Sequence, residues 1–208
     1  MRVIAYIDGF NLYHGLKEQR WQHFYWLNIS SLILKYLVED QTLIYTKYFT
    51  SIVKSPPDKH ARQHKYLQAL STLKEFEIYK GFFLDDEVSC NNCGHTYITY
   101  HEKKTDVNIA VELLSDAFDK KMDLALLVTA DSDLVPAIVK AKLYDPGLKI
   151  NLLFPPARTS KALVKVSDNH EWISRNRLAK SQFPFTIQKT DGYCITKPVE
   201  WTYGYKKT

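Results

Sequence analysis

Carboxylates at the ends of predicted strands are the residues of this sequence whose types and spacing suit chemistry. Asp131 and Asp133 follow a run of five apolar residues, 124–128, that predicts a buried strand, and a helical pattern begins at Leu134. Asp often caps a following helix, which accounts for one carboxylate but not for two. Because open α/β sheets bind ligands beyond the carboxyl ends of their strands, this turn predicts a metal site.

The same order of strand, acidic residue, turn and helix occurs at the start of the chain. Residues 2–7 are mostly apolar and β-prone, Asp8 ends them, and Gly9 permits a tight turn. Asn11 lies about one helical turn beyond Asp8 and can point back toward it. Asp106 stands in the first turn of another predicted helix, where it either stabilises the helix N-terminus or joins the same acidic cluster.

These acidic residues require a partner if they converge at one edge of a sheet, since neighbouring carboxylates raise one another's pKa. Oxygen ligands of this kind suit Mg²⁺ or Mn²⁺. Such ions activate water and stabilise the attacking and leaving oxygens of a phosphodiester. The sequence therefore predicts metal-assisted phosphodiester hydrolysis, with four acids as candidate metal-site and catalytic residues: Asp8, Asp106, Asp131 and Asp133.

Predicted strands alternate with predicted helices along the chain, and this order indicates a parallel, doubly wound α/β sheet. Such a sheet would position the acidic residues at one edge. Residues 84–103 interrupt the alternation as a small hairpin insertion in a domain that spans residues 1–156. Residues 157–208 form a basic extension with short helices near 160–166 and 171–180, packed on the domain or on a partner. The five predicted strands cover residues 2–7, 42–52, 76–83, 124–128 and 148–154.

The hairpin insertion contains Cys90-Asn-Asn-Cys93-Gly-His95, which has the form of a zinc knuckle. Tetrahedral zinc needs four ligands, and His95 and His101 would complete the set with the two cysteines. The sequence has no second Cys-x-x-Cys. Two alternatives therefore stay open, a structural Zn²⁺ site or an ordinary hairpin with two free thiols.

Composition limits the class of protein. The chain has 208 residues, 45% of them hydrophobic, which suits one folded domain with additions. No apolar run approaches the roughly 18 residues of a membrane span, and the first residues lack the features of a signal peptide. Three cysteines fit a reducing compartment better than a disulfide framework. We therefore expect a cytoplasmic protein without a membrane partner.

The positive charge is concentrated near the C-terminus. Residues 1–158 hold 19 basic and 19 acidic residues, whereas residues 159–208 hold nine basic and four acidic residues, which accounts for the net charge of +5. A basic extension beside an acidic site indicates a polyanionic substrate, with nucleic acid as the first candidate. A solvated basic surface without a ligand is the alternative.

Three short motifs of the chain stand out together: Ile7-Asp-Gly-Phe-Asn11, Lys104-Thr-Asp-Val107 and Val128-Thr-Ala-Asp-Ser-Asp-Leu134. They resemble the signature motifs of NYN domains, which are PIN-like nucleases, and this chain looks closest to the bacterial LabA/DUF88 branch. The resemblance covers about residues 1–156, and the motifs have the family's order and spacing. It implies a PIN-like Rossmannoid three-layer α/β/α fold with a central, mainly parallel five-stranded sheet, a Mg²⁺ or Mn²⁺ site and RNA cleavage.

The resemblance also implies a role for each matching residue. Asp8, Asp106 and Asp131 would be the main metal-site acids, Asp133 would assist them, and Asn11 would orient a ligand or water.

The remaining polar positions of the motifs would contact the substrate. Thr129 and Ser132 would bind phosphate or metal-associated water, and Lys104 would bind substrate. The cysteine knuckle and the basic extension lie outside the three motifs, and the extension is expected either to hold substrate or to mediate homodimer formation.

The leading hypothesis is a metal-dependent ribonuclease, acting as an endonuclease on single-stranded or structured RNA. The alternative is an RNA-binding or regulatory PIN-like module with little or no catalysis. A phosphatase of the haloacid-dehalogenase type is disfavoured because it needs Asp-x-Asp after the first strand, where this chain has Asp8-Gly-Phe10.

Overall fold

A seven-stranded sheet divides the protein in the computed structural model, which describes residues 1–89 and 92–205. The strands of this sheet are β1 (Arg2–Asp8), β2 (Thr42–Ser51), β3 (Phe76–Ser89), β4 (Thr96–Lys103), β5 (Leu124–Val128), β6 (Lys149–Phe154) and β7 (Asn169–Trp172). A separate hairpin consists of β8 (Thr186–Gln188) and β9 (Cys194–Thr196). The helices are α1 (Gly9–Glu18), α2 (Ile29–Leu34), α3 (Pro57–Leu70), α4 (Thr105–Phe118), α5 (Val135–Tyr144), α6 (Lys161–Val166) and α7 (Arg175–Ala179).

The strand order is β4-β3-β2-β1-β5-β6-β7, with β1 at the centre. Six of the strands are parallel, and β4 alone pairs in the antiparallel direction, with β3. The chain moves outward from β1 through β2 to β3, and it later returns to the other side of β1 as β5. This reversal leaves a crevice beyond the carboxyl ends of β1 and β5, where open α/β sheets bind ligands.

The predicted α/β class and parallel central sheet are confirmed, and the sheet has two strands more than the five expected. One is β4, because β3 continues to Ser89 and Thr96–Lys103 pairs with its second half as an antiparallel edge strand. The other is β7, which pairs with β6 where a helix from residue 171 was expected. The helix begins later, at Arg175, because the Ser174 side chain accepts a hydrogen bond from the Arg177 backbone N–H and so caps it there.

Two hydrophobic cores lie on the two faces of the sheet. The α1–α3 face buries the alternate β1 residues Val3, Ala5 and Ile7, whereas the opposite face buries Ile4 and Tyr6 against α4 and α5. All five residues of β5 are buried, as expected for a strand covered by helices on both sides. Each large apolar side chain buried in this way contributes about 1.5–3 kcal/mol, so the central strands are rigid supports for residues at their ends.

The C-terminal extension divides between the two faces: α6 packs beside α5, whereas the chain from Ile173 onward packs on the face formed by α1, α2 and α3. The fully buried Trp26 donates its indole N–H to the Pro184 carbonyl at 2.8 Å. Trp201 places its ring near those of Trp26 and Tyr66, with centroids 6.2 and 6.0 Å away. The extension therefore completes a hydrophobic core and is not a loose appendage. No helix in the described parts of the chain combines the length and the apolar character needed to cross a bilayer.

Gly9 begins α1 at a point where the chain has no room for a side chain. A Cβ placed there would lie 2.6 Å from the Tyr48 ring and 2.7 Å from the Phe49 carbonyl oxygen, which belongs to the fixed backbone of β2. We expect Gly9→Ala to destabilise the protein by about 1–3 kcal/mol in urea denaturation, because overpacking exceeds the small gain in helix propensity.

Gly147→Ala is the matched control for this substitution. Gly147 is exposed in the turn before β6, and its added Cβ would meet no atom closer than 3.4 Å. Equal urea midpoints for the two variants would contradict the proposed close approach of α1 to β2.

Candidate functional site

The candidate site lies where β1 and β5 end side by side. Ile7 of β1 pairs in register with Val128 of β5, so the next residue of each strand leaves the sheet at the same level. Asp8 is the last residue of β1, and Thr129 is the first residue after β5. This register, set by two buried apolar runs, brings together residues that are 121 positions apart in the sequence.

Asp8 is held by two protein hydrogen bonds and is only 4% exposed. Its Oδ1 accepts the Asn11 backbone N–H at 2.9 Å, so the side chain caps α1. Its Oδ2 accepts the Thr129 hydroxyl at 2.9 Å. The carboxylate is therefore fixed in position by the helix that follows β1 and by the loop that follows β5.

Thr129 and Asn11 connect the two strand ends. The Thr129 hydroxyl, which donates to Asp8, also accepts the Asp131 backbone N–H at 3.0 Å. The Asn11 side-chain oxygen accepts the Ala130 backbone N–H at 3.2 Å. Thr129 is 1% exposed, so its hydroxyl is used inside the protein to position Asp8 and Asp131. Asn11 likewise orients the loop through its amide oxygen.

The acidic turn after β5 forms a short 3₁₀ helix, Ser132–Leu134, before α5. The half-buried Asp131 caps it by accepting the Asp133 backbone N–H on Oδ1 at 2.9 Å. Asp133 and Ser132 are exposed. The expected capping role of this turn is thus present, and the Asp131 backbone N–H also bonds the Thr129 hydroxyl that holds Asp8.

Asp106 stands in the first turn of α4, a helix that contacts the 3₁₀ helix of the acidic turn. Lys104 precedes it in a left-handed conformation, with a φ of 74°, and turns the chain from β4 into the helix. Partial desolvation raises the pKa of Asp106, and the carboxylates of Asp131 and Asp133 raise it further. Repulsion of this kind is expected when the Asp106 carboxylate lies close to those of the acidic turn.

The donor chemistry of this edge suits a hard divalent cation. Its side chains offer carboxylate oxygens, and Mg²⁺ is commonly held by one or two carboxylates together with several waters. A cation would also relieve the repulsion around Asp106. In residues 1–89 and 92–205, no three His, Cys, Asp or Glu side chains form a ready-made metal cluster, so water would supply the other ligands.

The predicted zinc knuckle falls largely outside the described part of the chain. Cys90 lies outside the described residues, as does the side chain of His101. Cys93 and His95 are exposed in the turn before β4. The described residues contain no cysteine-based metal cluster, and bound zinc stays a prediction.

A profile of the NYN domain family matches residues 2–174 of the chain. The chain belongs to the NYN domain family. NYN domains are members of the PIN-like nuclease superfamily, and this membership covers β1 to β7, the whole of the large sheet. The match runs beyond residue 156, the expected end of the domain, and it includes β7, which pairs with β6 in the same sheet.

Two further similarities accompany this membership. The chain is 25% identical to the 6-hydroxy-3-succinoylpyridine 3-monooxygenase HspA of Pseudomonas putida, with 98% of this chain and 76% of that protein covered. A solved structure of a protein of unknown function from Vibrio parahaemolyticus superposes with a TM-score of 0.56 at 17% identity. That comparison covers 84% of this chain and 94% of the other, and it supports the fold alone.

The site predicted from the sequence did not include a stripe of residues on α1. Phe10, Tyr13, His14 and Lys17 follow the i, i+3, i+4, i+7 spacing of one helix face, next to the core stripe that contains Leu12. They line a cavity of about 660 Å³ that begins at the site edge. The aromatic spacing was readable in the sequence, but the elements that face it come from distant parts of the chain.

Proposed function

We propose that this NYN protein is a metal-dependent ribonuclease that hydrolyses phosphodiester bonds of RNA, as an endonuclease, at the acidic edge of its sheet. The observation that carries the proposal is the hydrogen-bond link from Asp8 through Thr129 to Asp131, because it joins the first and third NYN motifs. The raised pKa of Asp106, to which the Asp131 and Asp133 carboxylates contribute, supports a position of the second motif near the third.

The acids of this edge would hold Mg²⁺ or Mn²⁺ as the catalytic cation, with Asp8, Asp106 and Asp131 as the main residues and Asp133 assisting. Such an ion supplies an activated water and stabilises the charge of the leaving oxygen. The chain itself holds the carboxylates in place: the helix cap and the Thr129 hydroxyl fix Asp8 before any substrate arrives. Pre-organisation of this kind avoids a reorganisation cost during the reaction.

Exposed groups around the acids would contact the RNA. Ser132 lies on the surface of the acidic turn and Lys104 lies at the start of α4, two residues before Asp106. A hydroxyl and an ammonium group are both suitable donors to phosphate oxygens. Thr129 would act indirectly, by positioning Asp8.

The purified protein is expected to cleave RNA in Mg²⁺ or Mn²⁺ and to lose this activity in EDTA.

The cleavage rate should also fall as the pH drops through the raised pKa of Asp106, because protonated carboxylates bind cations poorly. A panel of single-stranded RNA, structured RNA and DNA, assayed from pH 4.5 to pH 8, measures both effects. Cleavage that persists in EDTA would contradict the proposal.

The second candidate is an RNA-binding or regulatory module with little catalysis. It is favoured by the use of both Asp8 oxygens in protein hydrogen bonds, which a metal would have to share or replace. Binding of RNA in gel-shift experiments, with no product in any metal, would support this candidate over the ribonuclease. The homodimer and the cytoplasmic location stay predictions.

A further inference from the structure

The cavity beside the acidic edge has three walls from distant parts of the chain. The first is the aromatic stripe of α1, the second is one face of α3, and the third is the C-terminal 3₁₀ turn, Val199–Trp201, with Tyr205. Its volume of about 660 Å³ falls in the range of small-ligand sites, about 300–1,000 Å³. None of these walls is used by the acidic site itself.

Aromatic rings dominate the lining. Tyr13 and Tyr25 lie with ring centroids 5.0 Å apart, and Tyr25 in turn meets Trp201 at 5.6 Å. Phe10 and His14 add two further half-buried rings on the α1 side. Burial lowers the pKa of His14, so its ring is neutral near pH 7 and can stack without the cost of burying a charge. Planar π-faces of this kind bind nucleobases of any sequence.

The charges of the cavity leave a positive surplus. Arg62 of α3 pairs with both acids of the lining, Asp58 at 2.7 Å and Glu200 at 2.9 Å, and with Lys17 and Lys59 the charges of the cavity sum to +1. Lys17 and Lys59 then supply the positive potential of the cavity. An aromatic ligand that carries negative charge, such as a nucleotide, fits this combination.

The cavity lies next to the acidic edge, and this position indicates which nucleotide of a bound RNA it would hold. Gly9 and Phe10 are among the lining residues, and they directly follow Asp8, the capped carboxylate of the site. Adjacent Cα atoms are about 3.8 Å apart, so the lining begins one residue from the proposed metal-site acid. A strand whose phosphate lies at Asp8 can therefore place a neighbouring base in the cavity.

We propose that this cavity binds the base of a nucleotide adjacent to the scissile phosphate of a single-stranded RNA. The inference rests on the proposed ribonuclease function. Tyr13, whose ring lies 5.3 Å from that of His14 and 5.0 Å from that of Tyr25, is the stacking residue. Lys17 and Lys59 contact the phosphates that flank the bound base.

Abasic scanning of a 12-nucleotide single-stranded RNA tests the proposal. One abasic position next to the cleaved bond should lower kcat/KM about tenfold in the wild type, as expected for the loss of one base stack. Tyr13→Leu should lower kcat/KM on intact RNA by a similar factor and abolish the abasic penalty, whereas Tyr13→Phe should retain both. Tyr193→Ala is the control, since Tyr193 is exposed in the β8–β9 hairpin, outside the cavity.

Binding of the same RNAs in EDTA, followed by fluorescence anisotropy, separates the two proposals. An abasic penalty on binding that Tyr13→Leu removes, with no cleavage in any metal, would overturn the nuclease and support the base site. Cleavage with the same abasic profile in wild type and Tyr13→Leu would overturn the base site and leave the nuclease. The base site would also be overturned if Tyr13→Leu weakened the binding of a small aromatic acid, pyridine-3-carboxylate, while the RNAs showed no abasic effect. Thermal unfolding checks that each variant is folded.

Discussion

Asp8→Asn is expected to reduce RNA cleavage at least about 100-fold while the protein stays folded. Loss of a single pre-organised electrostatic group commonly costs about 100- to 1,000-fold in rate, and this change removes a negative charge from the proposed metal site. Initial rates in Mn²⁺ on a single-stranded RNA measure the effect.

The fold should survive because Asn can make the hydrogen bonds that Asp8 makes. The Asn oxygen can accept the Asn11 N–H and keep the helix cap, for which Asn and Asp are equally good. The Asn NH₂ group can donate to Thr129, whose hydroxyl has lone pairs for this donor and for the Asp131 N–H. Charge is therefore the main property that the substitution changes.

Asp119→Asn provides a matched control in the same experiment. Asp119 caps the opposite end of the helix that carries Asp106, and its side chain pairs with Lys121 on the surface. It should cleave at the wild-type rate. Equal cleavage by wild type, Asp8→Asn and Asp119→Asn would show that another protein in the preparation is the nuclease and would remove the assignment.

Lys47→Met is expected to destabilise the protein by about 3–5 kcal/mol in urea denaturation, the range for removing one partner of a buried ion pair. Lys47 is 6% exposed in β2, and its ammonium contacts Glu112 at 2.6 Å and Asp116 at 2.5 Å. Asp116 is 1% exposed on α4. Without the lysine, a nearly fully buried carboxylate would lose its main cation.

Two other partners of Asp116 reduce the expected loss of stability but do not replace Lys47. Tyr6 donates its hydroxyl to Asp116 at 2.6 Å, and burial, followed by the nearby Asp116 carboxylate, raises the Tyr6 pKa. Lys121 approaches the other carboxylate oxygen at 3.2 Å from the surface. Tyr6 carries no positive charge and the Lys121 side chain is about half exposed, so both leave most of the buried charge uncompensated.

A second substitution distinguishes charge from packing. In the double variant Lys47→Met with Asp116→Asn, part of the lost stability should return, because the neutral amide needs no cation. Arg2→Met breaks the exposed Arg2–Asp123 pair and should change stability little, since surface ion pairs are screened. A stability loss in Lys47→Met no greater than in Arg2→Met would show that the buried cluster is not a structural support.

This cluster and the proposed catalytic site are both carried by α4, at different points of the helix. Asp106 stands in the first turn, near Asp131 and Asp133, whereas Glu112 and Asp116 anchor the middle of the helix to the sheet through Lys47. The buried ion pairs therefore fix the position of the helix that presents Asp106. Stability measured in the absence of metal reports on this support independently of catalysis.

Much of the architecture was predictable because the sequence patterns are local. The apolar runs that became β1 and β5 are each buried on both faces, and such runs can form only interior strands or buried helices. Gly9, Asp8 and Asp131 lie at turns whose chemistry is short-range, and both acids do cap the following helical turn. Strand β7 was missed because its four residues are mostly exposed at a sheet edge and carry no strong alternation.

The sequence by itself determined the α/β class, the family motifs and the set of candidate acids, because each depends on residues close together in the chain. Only the tertiary structure decided that Thr129 ties Asp8 to Asp131, that Lys47 lies buried between two acids, and that Trp201 faces α1 across a cavity. The physical reason is that strand register and helix docking set contacts between residues more than 60 positions apart, and no local pattern records which side chains will meet.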